Sequence, residues 1–405
     1  MKRWRCVISS IVLMTQLCIS VCTADDSLPP KESDLHALSA CMLDGDSGRV
    51  LYGKNENEEL AMASTTKIMT CILIMENCDP DEVVTASQNA ADQPKVHLGV
   101  RKGQRFLLED LLFALMLESY NDAAVMLAEH LDGSVEAFAD RMNRKAKSLY
   151  CLHTHFVTPN GLDGTDEGGE HHTTATDLAR IMRYCVMESE KSGYFMKVTQ
   201  TSSHSFSDLD QQSAYSCSNH NQLLSMTDGV LSGKTGFTGK AGYCYVCAVR
   251  NKGRTYIITL LGCGWPNNKT YKWKDTVKLL EYGKEVFDFR KPVSLGIQDT
   301  ILVKQAVYPW GESGKLQHIR AEETTGQLKG ALMTGKEEIR VVYSYKKTLT
   351  APVQAGTEIG KVSYMLDGIC LGTDAVIVAQ DISEISLQWC ARVLFHHFLW
   401  KNNAA

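Results

Sequence analysis

Ala63-Ser64-Thr65-Thr66-Lys67-Ile68-Met69-Thr70 opens an apolar run that continues to Glu76 and reads as a buried helix. A serine hydroxyl is a weak nucleophile at neutral pH and needs an adjacent base. A lysine three residues further along a helix lies on the same face. The helix N-terminus also favours negative charge developing there. Taken alone the spacing is weak evidence, because about one or two Ser-x-x-Lys matches arise by chance in a chain this long. Ser344-Tyr-Lys-Lys347 is such a match, in a β-patterned run with no helix to open.

Working outward, Ser119-Tyr120-Asn121 sits where the helical period of Leu107 to Leu131 breaks. Both polar side chains can therefore face a cleft, the hydroxyl to relay a proton and the amide to grip a peptide carbonyl. This spacing is also weak alone: Ser87-Gln-Asn89 matches equally and reads as a cap or turn. Further on, Lys234-Thr235-Gly236 begins a strand-like run flanked by Gly233 and Gly239. Lys234 and Thr235 can hold a carboxylate, and Gly236 lets a substrate backbone lie close; alone, it reads as a β-turn lysine. The weight lies in the set. The order Ser-x-x-Lys, Ser-x-Asn, Lys-Thr-Gly, on a helix start, an interhelical break and an edge strand, is the signature of penicillin-recognising serine enzymes.

Around these motifs the patterning alternates. Ala40 to Asp44 and Val50 to Tyr52 read as a hairpin about Asp44-Gly-Asp-Ser-Gly48. Val135 to Lys147 reads as an amphipathic helix. Thr174 to Met187 reads as another, with Thr174 capping and Asp177 three residues on. The Ser-rich stretch Ser202 to Asn221 reads as loop. Strand-like runs follow at Gly233–Gly236, Tyr243–Arg250 and Tyr256–Gly262, then a helix at Lys272–Phe287. From Pro292 short alternating runs between Gly and Pro turns predict a small β-domain.

The 405 residues, 44% hydrophobic and 22% charged, bound an ordinary globular chain of two or three domains. A net charge of -5 argues against nucleic acid as a partner, which would need a basic face. Lys2, Arg3 and Arg5 followed by an apolar stretch to Val21 and small residues at Cys22-Thr-Ala24 predict a cleaved secretory signal over 1–24. An uncleaved anchor and a lipidated Cys22 are the alternatives. Of fourteen cysteines, Cys6, Cys18 and Cys22 lie in that signal and the rest show no disulfide framework. Cys244 and Cys247, three apart on a strand, face opposite sides and read as small core residues rather than a metal knuckle. Free thiols in an exported protein suit a reducing habitat. The histidines, among them His153, His155, His171 and His172, form no zinc-protease motif, so neither a metal nor a cofactor is expected. From Ile382 to Lys401, Leu387, Cys390, Ala391, Leu394, Phe395, Phe398 and Leu399 share a helical face, with Gln388, Arg392, His396 and Lys401 largely off it. This reads as an interfacial amphipathic helix, or as a terminal helix packed on the β-domain.

The motifs resemble those of the low-molecular-mass serine D-alanyl-D-alanine carboxypeptidases, a penicillin-binding family. Beyond the three motifs, Asn160-Gly-Leu-Asp163, Thr173 to Ala179 and Asp228 to Thr238 carry the likeness from about residue 36 to 290. A weaker likeness around Pro352 to Gly360 covers the β-domain. The resemblance implies an α/β (α+β) catalytic domain of the serine transpeptidase and β-lactamase type at 36–290, after a linker at 25–35. It also implies a β-sandwich-like domain at 291–381 and an amphipathic anchor at 382–405. It implies an exported enzyme, peripheral on the outer face of the cytoplasmic membrane. The substrate would be peptidoglycan stem peptides ending in D-Ala-D-Ala, and β-lactams would be covalent inhibitors. By the same resemblance Ser64 is the nucleophile, Lys67 its base and Ser119 the proton relay, linked to Lys234. Asn121 orients the peptide, and Lys234 with Thr235 binds the terminal carboxylate. Gly236 lines the strand, and the Ser64 and Phe237 N–H groups form the oxyanion hole. Two departures stand out. Tyr120 occupies the place of a family glycine. Where the family carries an arginine before the last catalytic-domain helix, this chain has Lys269-Thr-Tyr-Lys-Trp-Lys274, with Lys272 the candidate substitute, a point charge rather than a fork. A serine β-lactamase, a D,D-endopeptidase and a catalytically idle wall-binding protein are the alternatives. The carboxylates Asp163, Asp166, Glu167 and Glu170 do not follow the lactamase pattern.

Overall fold

Strands Ser39–Asp44 (β1) and Val50–Lys54 (β2) pair antiparallel, as the alternation around the Asp44–Gly48 turn predicts. Three later strands, Val230–Thr238 (β3), Gly242–Asn251 (β4) and Arg254–Leu261 (β5), complete an antiparallel sheet in the order β2-β1-β5-β4-β3. β3 is therefore an edge. The computed structural model describes residues 28–291, 297, 300–307, 317–323 and 330–401. The predicted signal over 1–24, with Cys6, Cys18 and Cys22, and positions 25–27 of the linker lie outside the described residues, as do the side chains of His396, Leu399 and Lys401.

Side chains alternate across a strand, and here both faces are covered. Cys41, Leu43, Cys244, Val246, Ala248, Ile257 and Leu261 join one apolar cluster with the helices. Ala40, Met42, Tyr245, Cys247, Val249, Ile258 and Leu260 join a second with Trp273, Leu279 and Leu280. That is why the strands read as nearly continuous apolar runs. Cys244 and Cys247 do face opposite sides, one in each cluster, and every described cysteine is unbridged. The main helices are Lys67–Asn77 (α1), Asn121–Asp132 (α2), Ala175–Arg183 (α3) and Tyr271–Val286 (α4), with Val135–Ser148 packed beside α2. Thr174 caps α3, its hydroxyl accepting the Asp177 N–H at 3.1 Å. Ser87 likewise caps a short helix and takes the Ala90 N–H at 2.9 Å, so the Ser87–Asn89 match is a cap.

One expectation is overturned. Ser202–Asn221 is not loop but contains a hairpin, Ser203–Ser207 with Ala214–Ser218. His204 and Phe206 pair with Cys217 and Tyr215 on one face, His204 stacking on Phe113 at 4.0 Å and Phe206 on Tyr215 at 5.3 Å. The serines occupy the other face. Their abundance masks a period-two pattern whose apolar half is made of His, Phe, Tyr and Cys.

Beyond Phe287 the chain is strand-rich. Asp288–Arg290 pairs with Ala331–Met333, and a six-stranded sheet including Arg340–Tyr345, Glu358–Leu366 and Ile369–Val378 surrounds a third cluster built on Ile301, Val303, Val362 and Val376. Ser344 lies in the strand Arg340–Tyr345, away from any helix start. The β1–β2 turn meets this part: Arg49 pairs with Glu337 and donates to Leu332 O at 3.1 Å, while Leu332 N–H donates to Asp44 Oδ2 at 2.9 Å. The terminal helix is Leu387–Lys401 (α5), five residues later than the pattern suggested, because Ile382 is buried and bridges to Val353 as part of the β-structure. It is not packed away: Leu387 is 91%, Leu394 60%, Phe395 70% and Phe398 71% exposed. No helix among the described residues is long and apolar enough to cross a membrane.

Candidate active site

The nucleophile candidate does not sit in α1 proper. Ala63–Thr66 form a 3-10 turn ahead of it. The Thr65 and Thr66 hydroxyls donate to Met62 O and Ala63 O at 2.7 and 2.8 Å, tightening the turn. Ala63 has φ +48°, a left-handed conformation unfavourable for a residue with a Cβ. Ser119 is also left-handed, at φ +66°. Strained backbone of this kind costs about 1–3 kcal/mol and persists where surrounding structure imposes it. Here it lies at Ser119 and at the residue just before Ser64.

Lys67 is fully buried. Its Nζ is 2.9 Å from Ser64 Oγ, 2.9 Å from Asn121 Oδ1 and 2.6 Å from the carbonyl oxygen of Asn160. Burial, helped by the nearby charge of Lys234, holds its pKa well below the usual lysine value. Lys234 is buried as well. It donates to Ser119 Oγ at 2.9 Å and to Thr235 O at 2.8 Å, and burial brings its pKa down to about 7. The first two motifs are thus joined by Lys67–Asn121, and the second and third by Lys234–Ser119.

The third motif lies on edge strand β3, in register Lys234↔Val246 and Gly236↔Cys244. A Cβ on Gly236 would stand 2.8 Å from the backbone nitrogen of Ser64, so only glycine lets the strand lie this close to the nucleophile turn. Ser64, Ser119, Asn121, Thr235, Gly236, Phe237 and Lys272 line one cleft of about 420 Å³, with Lys67 and Lys234 beneath its floor. Phe237 presents its ring to solvent against Tyr243. Lys272 stands on the cleft wall, its ammonium 4.7 Å from the Tyr243 ring centroid and donating to Lys269 O at 2.5 Å; burial lowers its pKa. Tyr120 turns its ring into the protein, where burial raises its pKa to about 12. It therefore leaves both neighbouring polar side chains free to face the cleft.

The Asn160 carbonyl is the contributor that sequence reasoning did not assign. Asn160-Gly161 was visible as a likeness, but a backbone oxygen leaves no trace in residue type. Gly161, at φ +84°, carries the signal: a Cβ there would fall 2.1 Å from Ala63 O. His171 fixes the same junction. Its Nδ1 accepts the Val157 N–H at 3.0 Å, so Nε2 carries the proton and donates to Thr66 Oγ1 at 2.8 Å. Burial drives its pKa down to about 3, keeping it neutral and structural. Asp122 pins the opposite wall by accepting the N–H groups of Leu98 and Gly99, both at 2.8 Å.

Comparison with known proteins identifies the family of the chain. The sequence profile of the D-alanyl-D-alanine carboxypeptidase family, peptidase S11, matches residues 26–263, and that of the penicillin-binding protein 5 C-terminal domain matches residues 333–384. D-alanyl-D-alanine carboxypeptidase DacF of Bacillus subtilis is 30% identical over 95% of each chain. DacB2 of Mycobacterium tuberculosis is 33% identical over 59% of this chain and 79% of its own. Penicillin-binding protein 5 of Haemophilus influenzae superposes with a TM-score of 0.66 at 25% identity, over 88% of this chain and 99% of that one. Penicillin-binding protein D2 of Listeria monocytogenes, solved in a cefotaxime-bound form, superposes at 0.53 with 28% identity over 61% and 96%. With its motifs converging on one cleft and a family match over more than half its length, this chain belongs to the peptidase S11 family of serine D-alanyl-D-alanine carboxypeptidases.

Proposed function

We propose that this D-alanyl-D-alanine carboxypeptidase cleaves the terminal D-alanine from peptidoglycan stem peptides through an acyl-enzyme on Ser64. The observation that carries the reading is the setting of Lys67. A neutral amine has two N–H groups and one lone pair. Two carbonyl oxygens, of Asn121 and Asn160, take the N–H groups, so the lone pair is left for the Ser64 hydroxyl at 2.9 Å. Burial lowers the pKa of Lys67 and so favours the neutral amine that this role requires. Ser64 Oγ adds to the carbonyl between the two D-alanines as its proton passes to Lys67. The N–H groups of Ser64 and Phe237 receive the oxyanion, each such donor being worth about 2.7–4 kcal/mol. Ser119, held by Lys234, gives its proton to the departing D-alanine nitrogen and is reprotonated with the one that Lys67 took from Ser64, as the C–N bond breaks. Thr235, Lys234 and Lys272 bind the free carboxylate, Asn121 holds the peptide, and water then cleaves the ester. A β-lactam would acylate the same oxygen.

Action outside the cytoplasm follows from the cell-wall substrate of the family. Export through a cleaved signal at 1–24, a division into 36–290 and 291–381, and attachment of α5 to the outer face of the cytoplasmic membrane complete the reading. The exposed Leu387, Leu394, Phe395 and Phe398 support the last point.

The test is a fluorescent penicillin with a diacyl-D-Ala-D-Ala peptide. A long-lived label and released D-alanine are expected, both lost in Ser64→Ala and kept in Ser344→Ala. Rapid turnover of the label would mark a lactamase, and an unlabelled protein an idle binder.

A further inference from the structure

The two helices that deliver Lys67 and Asn121 at one end meet again at the other. Cys78 follows the last residue of α1, and His130 lies in the last turn of α2. The turn after Cys78 brings Glu82 between them. One ligand atom from each of Cys78, Glu82 and His130 lies within 4.8 Å of the other two. His130 Nε2 is 2.8 Å from Glu82 Oε2. The other oxygen, Oε1, accepts the backbone N–H of Asp79 at 2.6 Å, so the carboxylate is oriented by the main chain. The His130 and Glu82 side chains are 24% and 40% exposed, which leaves a path for an ion from solvent. The catalytic cleft uses none of these residues.

We propose that Cys78, Glu82 and His130 bind one zinc-class divalent transition-metal ion that clips the far ends of α1 and α2 together. Thiolate sulfur, imidazole nitrogen and carboxylate oxygen form a borderline-soft donor set, which suits zinc or cobalt rather than magnesium or calcium. A thiolate and a carboxylate carry two negative charges, which the ion balances. Arg141 and Asp132 pair with each other nearby, at 2.8 and 2.6 Å, which leaves the carboxylates of Glu82 and Asp79 as the net negative charge beside the thiol. Binding displaces the thiol proton to solvent, so it strengthens as pH rises. An ion between the three side chains would take the place of the His130–Glu82 hydrogen bond, while the Asp79 N–H keeps its hold on Glu82 Oε1. Three protein ligands leave a fourth position for water. None of the three lines the catalytic cleft, so the ion acts on the helix ends rather than on the reaction.

The test is titration of metal-free, full-length protein with Zn2+ and, separately, Co2+. One equivalent should bind, with a near-ultraviolet sulfur-to-cobalt charge-transfer band and a higher melting temperature. The band should vanish in Cys78→Ser, and affinity should fall by about tenfold or more in His130→Gln and Glu82→Gln. Cys370→Ser/Cys390→Ser should bind as the parent does. Penicillin labelling, unchanged throughout, reports that each variant is folded. The proposal is overturned if no ion binds at one equivalent, or if the charge-transfer band is absent. It is equally overturned if His130→Gln binds undiminished, which would place the ion on surface groups such as Glu59, His153 and His172.

Discussion

In the catalytic cleft, two lysines sit inside the protein, Lys67 fully buried and Lys234 almost so; in α5, Phe395 and Phe398 stand in water at 70% and 71% exposure. Burying a charge costs several kcal/mol unless the group is paired or gives up its proton. Leaving an aromatic side chain wet forgoes about 1.5–3 kcal/mol of burial. Both regions therefore hold side chains where folding alone would not put them, in opposite senses. In the mechanism proposed above the cleft uses the cost: a lysine stripped of water gives up its proton more readily and can act as a base. In the proposed attachment to the membrane the helix would recover that gain at the lipid surface. If this is right, the two regions should separate cleanly under mutation, the first governing chemistry and the second attachment.

The largest effect should come from the floor of the cleft. Lys67→Ala should slow acylation by a fluorescent penicillin by about 10^2 to 10^4, the usual contribution of a positioned general base. Thermal stability should not fall in parallel, since a desolvated amine is removed. Loss of fold instead of chemistry would mean that Lys67 is a structural lysine and the contrast with α5 is void.

Gly161→Ala should come next. A Cβ 2.1 Å from Ala63 O in a left-handed backbone must push the 160–161 turn off the nucleophile turn. We expect destabilisation of about 2–4 kcal/mol by urea unfolding, with a matching loss of penicillin labelling because the Asn160 carbonyl leaves Lys67.

Lys234 gives a pH signature. Its pKa is about 7 in the folded chain and near 10.5 when unfolded. Between those values the unfolded state holds a proton that the folded state lacks, so stability rises with pH across that window; below 7 the full cost of burial is present. Lys234→Gln should therefore be more stable than the parent near pH 7, with the gap closing towards pH 10 in melting curves. A gap independent of pH would show that the lysine is not desolvated as drawn. The same variant should lose most of its peptide turnover.

The smallest effect on chemistry belongs to α5. Phe395→Ser/Phe398→Ser should release D-alanine from a soluble peptide within about twofold of the parent, while co-sedimentation with anionic lipid vesicles falls sharply. A variant that still sediments would remove the membrane from the comparison, and one that loses soluble turnover would tie the helix to the cleft after all.

Much of this site was legible before any coordinates, and the reasons are local. The Ser64–Lys67 spacing is a property of one helical turn, the β1–β2 hairpin of a five-residue turn, and the Cys244–Cys247 divergence of strand alternation. The break at Ser119 interrupts a helical period, and β3 was expected at an edge, where it lies. Each depends on neighbours a few residues apart, which residue type reports directly. Other features needed the fold. The hairpin at Ser203–Ser218 escaped because its buried face is not conventionally apolar. The exposure of α5, against packing on the β-structure, was undecidable from an amphipathic pattern, which is the same whether the apolar face meets protein or water. Gathering Cys78, Glu82 and His130 required two helix ends and a turn to meet. Most telling is Lys67, whose second carbonyl partner lies 93 residues away in sequence. A lysine's charge state is set by how much water reaches it and which oxygens surround it, and both are decided only when distant segments close over it.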